Sequence, residues 1–281
     1  MPNRIITEPL LEDFRRYLIS EERSAGTIEK YLRDIRAFSS YAEGRGVTKE
    51  LMILWKESLG ERGYAPVTIN SMLSSLNVLF RFLHWDDCQV KFLRVQRRVF
   101  RDPSRELTKA EYYRLVETAR DHGRERLALI METICSAGIR VSEVRFITLE
   151  AVKSHTTDVY LKGKVRTITL PGKLCKKLIK YARAHHISSG VIFRTRSGKP
   201  LSRKQIWAEM KSLCEAAGIS PSKVFPHNLR HLFARTFYRM HRDIVKLADT
   251  LGHSSIDTTR IYLISTGEEH RSLIERLRLV T

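Results

Sequence analysis

Apolar residues recur at helical spacing along the first hundred positions. Leu10, Leu11, Phe14, Tyr17 and Leu18 make one stripe, and Ile28, Tyr31, Leu32, Ile35 and Phe38 a second. Leu51, Met52, Leu54, Trp55 and Leu59 make a third. The fourth, Ile69, Met72, Leu73, Leu76, Leu79, Phe80 and Leu83, keeps the period most strictly. Gly26, the pair Gly44 and Gly46, and Gly60 with Gly63 punctuate the breaks. The pattern predicts four short helices with turn-sized connections, a small helical bundle over residues 1–96.

The character then changes. Between Val90 and Arg105 the chain carries Lys91, Arg94, Arg97, Arg98, Arg101 and Arg105 against Asp102 alone. Residues 97–107 therefore read as an exposed basic linker. Thr108-Lys109-Ala110-Glu111 has the form of a capping box and opens a second domain, residues 108–281. Leu127, Ile130, Met131 and Ile134 mark the buried face of a helix ending near Gly138. Val159-Tyr160-Leu161 and Thr167-Ile168-Thr169-Leu170 predict two short strands joined around Lys162-Gly163-Lys164, with Val191-Ile192-Phe193 a third. Ser202-Arg203-Lys204-Gln205 is another capping box, and the remainder is helical. The fold class is mainly α with a small antiparallel β-sheet.

Composition narrows the partners. The 281 residues are 42% hydrophobic and 29% charged, enough apolar material for real cores, so the excess charge lies outside them. Fifty basic residues against 31 acidic give a net +19, which points to a polyanion: nucleic acid first, an anionic membrane surface second. The excess is uneven. Residues 1–103 hold 17 basic and 14 acidic side chains, a net of +3, and residues 104–281 hold 33 and 17, a net of +16. No apolar run is long enough to span a membrane and the start lacks the apolar core of a signal peptide, so a cytoplasmic protein is expected. Cys88, Cys135, Cys175 and Cys214 contain no C-x-x-C pair; they read as reduced, packed thiols.

Common hydrolytic sites are missing. His227 and His231 imitate part of a zinc motif, but Asn228 stands where H-E-x-x-H needs glutamate. There is no phosphate-binding G-x-x-x-x-G-K loop, no G-x-S-x-G elbow and no acidic cluster suited to paired magnesium ions. No metal and no cofactor is expected. What remains is cationic and imidazole chemistry in the second domain: Arg140 in Ala137-Gly138-Ile139-Arg140-Val141-Ser142-Glu143, with Ser142 placed to cap a helix; His227 and Arg230 in Pro226-His227-Asn228-Leu229-Arg230-His231; His253 in Leu251-Gly252-His253-Ser254-Ser255; and Tyr262 nine residues on. Each has a structural alternative, such as a capping arginine or a packed tyrosine. Together with a hairpin lysine they suit phosphodiester transfer. Guanidinium groups meet charge on the non-bridging oxygens, a tyrosine hydroxyl can attack phosphorus to leave a covalent phosphotyrosine, and lysine or histidine can protonate the leaving oxygen.

These motifs resemble the tyrosine recombinase, or phage-integrase, family, whose pattern runs Arg…Lys…His-x-x-Arg…His…Tyr. Residues 137–143 look like its first arginine box, His227-Asn228-Leu229-Arg230-His231 its H-x-L-R-H box, Leu251-Gly252-His253-Ser254 its L-G-H-S box, and Ile261-Tyr262 the site of its nucleophile. Residues 24–35 look like the opening of its helical core-binding domain, so nearly the whole chain is covered. The resemblance implies a SAM-like core-binding domain followed by a catalytic domain. It implies Arg140 and Arg230 as phosphate clamps, His227 as the base for Tyr262, and His253 as a donor to a non-bridging oxygen. Lys164 would be the general acid, with Lys162 the fallback because the hairpin is about one residue short. Glu143 would orient Arg140. It further implies site-specific recombination of double-stranded DNA by a homotetramer on synapsed sites, without metal or ATP. The tail stripe Leu273, Ile274, Leu277 and Val280 would dock on a neighbour or, equally, on its own domain. Because the chain starts with the core-binding helices, a recombinase of Xer-like size or a compact mobile-element integrase is expected. A type IB topoisomerase-like strand transferase and an inactive DNA-binding relative remain as alternatives.

Overall fold

The computed structural model describes residues 4–95, 102–161, 164–262, 271–272 and 274–277. The chain divides into two compact units, at Arg97 and Arg98. In the first, all four expected helices form: α1 (Glu8–Ser20), α2 (Ala25–Ala42), α3 (Lys49–Glu61) and α4 (Pro66–Phe82). Ser24 and Thr48 cap α2 and α3 through their hydroxyls, accepting from Thr27 and Leu51 backbone N–H groups. The periodic residues become the core, with Phe14, Leu18, Ile35, Phe38, Met52, Trp55, Leu73, Leu76 and Phe80 almost wholly buried. One charge goes inside with them. Asp34 is held by Lys30 at 2.7 Å and by the Ser75 hydroxyl at 2.9 Å, which ties α2 to α4.

The second unit contains α5 (Lys109–Asp121), α6 (Glu125–Ala137), a 3-10 turn (Val141–Phe146), α7 (Leu149–Ser154), strands β1 (Thr156–Leu161) and β2 (Lys164–Thr169), then α8 (Gly172–Ala184), α9 (Arg203–Lys211), α10 (Pro226–His241), α11 (Ile244–Leu251) and α12 (Ile256–Arg260). Both predicted capping boxes are formed, Thr108 with Glu111 and Ser202 with Gln205. Helix α6 runs through the core, burying Leu127, Ile130, Met131 and Ile134. The strands pair antiparallel, Thr156 opposite Thr169 and Leu161 opposite Lys164. Val159 and Ile168 face inward, whereas Tyr160 and Val165 are exposed.

Three expectations change. Residues 191–193 form no strand: Val191 makes a single bridge to Thr148, which caps α7, so no extended partner continues the ladder, and Ile192 and Phe193 serve as core residues. Of the expected linker, residues 97–101 lie outside the described residues, and its end is not exposed. Leu107 is fully buried, its carbonyl accepts from Arg235 at 2.9 Å, and Asn228 donates to the Arg105 carbonyl at 2.8 Å, so this stretch docks on α10. Ser142 caps nothing, because it lies inside the 3-10 turn; the Glu143 carboxylate closes that turn on the Arg140 N–H at 2.7 Å. Among the described residues, no helix is long and apolar enough to cross a membrane, and the four cysteines are unpaired.

Candidate active site

Five of the six predicted side chains converge where α6, α10, α11 and α12 end or begin. Arg230, in the first turns of α10, is 1% exposed although it carries a full charge. Its burial is made possible by acceptors at two helix C-termini: Nη1 donates to the Gly138 carbonyl after α6 at 2.6 Å, and Nη2 to the Leu251 carbonyl of α11 at 2.7 Å. Gly138 ends α6 in the left-handed conformation, and a Cβ there would run into the Phe233 ring. Arg140 follows two residues later, half-exposed; its Nη1 donates to Glu143 Oε1 at 3.1 Å and its Nη2 to the Gly252 carbonyl at 3.4 Å.

His253 sits between Arg230 and α12. Arginine nitrogens only donate, so the 2.9 Å contact between Arg230 Nη2 and His253 Nε2 makes Nε2 an acceptor. The ring proton therefore lies on Nδ1, 2.9 Å from the hydroxyl of fully buried Thr259. Burial first, then the charges of Arg230 and Arg140, push His253 down to about 4. Tyr262 closes α12 and is 4% exposed. Its ring lies between two imidazoles, 4.4 Å from His231 edge-on and 5.7 Å from His253 nearly parallel, while His227 is 6.2 Å away. His227 is exposed on the open side of the site, and partial desolvation with the charges of Arg230 and Arg140 lowers its pKa below the usual histidine value; burial takes His231 down to about 3. The His231 and His253 rings are neutral near pH 7.

The electrostatic balance is lopsided. Burial, joined by the charge of Arg140, lowers the pKa of Arg166 against the pull of Glu143, and burial, joined by Arg140 and Arg166, brings Arg230 down to about 10, with Tyr262 acting in the opposite sense. The carboxylate among them is Glu143, 1% exposed, which binds both Arg140 and Arg166. Arg230 and Arg166 each keep a buried Nε–H without a partner. Such a corner is suited to an anion with several oxygens.

The lysines are less defined. Lys164 is the first residue of β2 and its side chain lies outside the described set, as does Lys162 altogether. Three residues that matter in this geometry carried little sequence signal. His231 was visible at i+4 from His227, which puts both on one face of α10. Arg166 lies two residues before inward-facing Ile168 on β2 and opposite Val159, and so shares their face. Thr259 looked like any helix threonine. Among the described residues, no group of three or more His, Cys, Asp or Glu side chains is placed to hold a metal ion.

The Phage integrase family model matches residues 105–269, well over half of the chain. The chain belongs to the phage integrase family. A second model, the phage integrase N-terminal SAM-like domain, matches residues 11–87. Curated relatives of this integrase-family chain include the tyrosine recombinase XerA of Pyrococcus furiosus, 29% identical over 100% of this chain and 98% of that one. The tyrosine recombinase XerC of Roseiflexus castenholzii is 30% identical over 90% of this chain and 87% of its own length. Among solved structures, a lambda integrase dimer bound to a core site superposes with a TM-score of 0.74 at 18% identity, covering 92% of this chain and 78% of that chain. XerH bound to its difH substrate gives 0.70 at 18%, covering 95% and 84%. The fold is shared with these proteins, and membership makes this integrase a tyrosine recombinase.

Proposed function

We propose that this recombinase exchanges DNA strands at a specific site, with Tyr262 as nucleophile and Arg140 and Arg230 as the phosphate clamp. The observation that carries the reading is the excess of guanidinium charge over one buried carboxylate, packed directly against the tyrosine. Tyr262 Oη attacks phosphorus and the bond to the 5′ oxygen breaks, leaving a 3′-phosphotyrosyl link and a 5′-hydroxyl end. The phenolic proton passes to His227, whose lowered pKa favours the neutral ring with a free lone pair. The leaving oxygen takes a proton from Lys164, with Lys162 as the fallback. The link retains the phosphodiester energy, so the reverse attack by another 5′-hydroxyl rejoins strands. Tyr262 is buried, and reaching a phosphate requires five-residue α12 to shift.

For His253 we propose a positioning role beside the phosphate contact that the resemblance implies. As placed, its Nε2 accepts from Arg230 and its Nδ1–H is engaged by Thr259, so it steadies the clamp; donating to a phosphate oxygen would require a proton on Nε2 and release of Arg230. We also assign the partners: double-stranded DNA, and a homotetramer on paired sites. Ile274 and Leu277, 55% and 60% exposed, support docking of the tail on a neighbouring copy; Leu273 and Val280 of that stripe lie outside the described residues.

The test is covalent capture from a pool of randomised duplexes, followed by denaturing electrophoresis and sequencing of the trapped DNA. An adduct that forms in EDTA, exposes a 5′-hydroxyl and is absent from Tyr262→Phe is expected. An adduct persisting in Tyr262→Phe, or a strict magnesium requirement, overturns the mechanism. Exchange of ends between two captured duplexes of different length separates a recombinase from a topoisomerase-like enzyme, which relaxes supercoils without exchanging partners. For the acid, Lys164→Ala should recover on a 5′-bridging phosphorothiolate, whose leaving group needs no proton; recovery of Lys162→Ala instead moves the assignment.

A further inference from the structure

Arg166 has no task in the mechanism above, yet its side chain, only 13% exposed, holds two other elements at once. From β2, Nη2 donates to Glu143 Oε2 at 2.9 Å and Nη1 to the Thr250 carbonyl at 3.2 Å. Its aliphatic stem occupies the space where a Cβ on Gly252 would stand, and Gly252 turns the chain toward His253 at φ +63°. One side chain thus joins the hairpin to the turn that carries Arg140 and to the turn that carries His253. Burial and the nearby Arg140 lower its pKa, and Glu143 counters them, as expected for a cation held in place by its carboxylate.

The consequence for Arg140 follows from the acceptors available. Glu143 Oε2 receives the Arg140 backbone N–H at 2.7 Å and Arg166 at 2.9 Å, which fills both of its lone pairs. Only Oε1 is left for the Arg140 guanidinium, which reaches it through Nη1 at 3.1 Å. That is a single-point contact, not the two-point fork that arginine and a carboxylate adopt when both oxygens are open. Without Arg166, Oε2 is released and the fork becomes available, drawing the Arg140 donors down onto Glu143 and away from a phosphate.

We infer that Arg166 is a positioning residue for strand cleavage: by filling Glu143 Oε2 and holding the Thr250 carbonyl, it keeps the Arg140 guanidinium open to the scissile phosphate and the Gly252-His253 turn beside it. The inference rests on the reading that the chain cleaves DNA through Tyr262, and the experiment separates the two.

Single-turnover cleavage is measured on the duplex recovered by covalent capture, and on the same duplex with a methylphosphonate at the scissile position. The methyl group removes one charged non-bridging oxygen and with it much of the need for the clamp. Arg166→Met should slow cleavage of the phosphodiester by about 10- to 100-fold, the scale for groups that orient metal ligands from behind, while DNA binding by fluorescence anisotropy and cooperative melting are kept. On the methylphosphonate the defect should shrink, as it should for Arg140→Ala. Arg166→Lys should fall between, since an ammonium can hold Glu143 but lacks the fork that spans to Thr250 as well. Equal loss on both substrates, or Arg166→Met cleaving at the wild-type rate, overturns the inference. If Arg166→Met does not melt cooperatively, Arg166→Lys carries the same two-substrate comparison with the same criteria. A wild-type chain that gives no adduct overturns the cleavage reading itself, and this is seen before any Arg166 variant is made.

Discussion

Replacing Thr259 by valine removes one buried hydroxyl and keeps the shape and nearly the volume of the side chain. Thr259 is fully buried, and its Oγ1 lies 2.9 Å from His253 Nδ1. Two responses are open to the imidazole. It can keep its proton on Nδ1, leaving a buried donor unpaired at a cost of about 1–3 kcal/mol. Alternatively the proton moves to Nε2, where it meets the N–H of Arg230 Nη2 across 2.9 Å, donor against donor. Either response loosens the hold of His253 on Arg230. If all of that cost falls on the transition state, cleavage slows about 5- to 150-fold, at 1.36 kcal/mol per factor of ten. Single-turnover cleavage of the captured duplex reads the rate, and two-bond 15N correlation spectra of the histidines read the tautomer. Thr259→Ser restores the hydroxyl and should restore most of the rate. A Thr259→Val enzyme within twofold of wild type, with the His253 proton still on Nδ1, would refute the reasoning. So would a Thr259→Ser enzyme as slow as the valine variant.

Two further outcomes follow from the same geometry. Gly252→Ala places a Cβ at φ +63° and into Arg166, whereas Gly123→Ala, at φ +67°, meets no atom within 4 Å. Both should lose the backbone share, about 1 kcal/mol in denaturant unfolding, and only Gly252→Ala should lose more and also slow cleavage; equal losses would exclude the Arg166 contact as a cause. The second concerns pH. His253 and His231 have folded pKa values of about 4 and about 3, below the ordinary histidine value of 6.5, so the unfolded chain binds the extra protons first. The stability that neutral rings contribute is complete above pH 6.5 and is lost as pH falls toward 4. The melting temperature should drop over that window, and His231→Phe should flatten the drop; an unchanged slope in that variant would remove His231 from the account.

The helices of the first unit could be read from the chain because burial there depends on local period. A stripe at every third and fourth residue has one stable outlet, a helix with that face inward, and Phe14, Phe38, Trp55 and Phe80 all lie in the core that their spacing predicts. The capping boxes at Thr108 and Ser202 were equally local, since donor and acceptor are three residues apart. Motif chemistry was local too: residue types in order were enough to single out Arg140, His227, Arg230, His253 and Tyr262. Residues 191–193 were not legible, because whether an apolar triplet becomes a strand depends on what lies beside it, and its neighbour is the start of a helix. Residues 105–107 read as linker because their charges are visible in sequence and their docking on α10 is not. The working state of the site is likewise tertiary. The tautomer of His253 is set by Arg230 and Thr259, the open face of Arg140 by Arg166 acting through Glu143, and the burial of Arg230 by carbonyls 92 and 21 residues away. Hydrogen bonds and charges act through space, so the sequence determined which groups are present and the fold alone decided which of them are neutral, paired or left free for a phosphate.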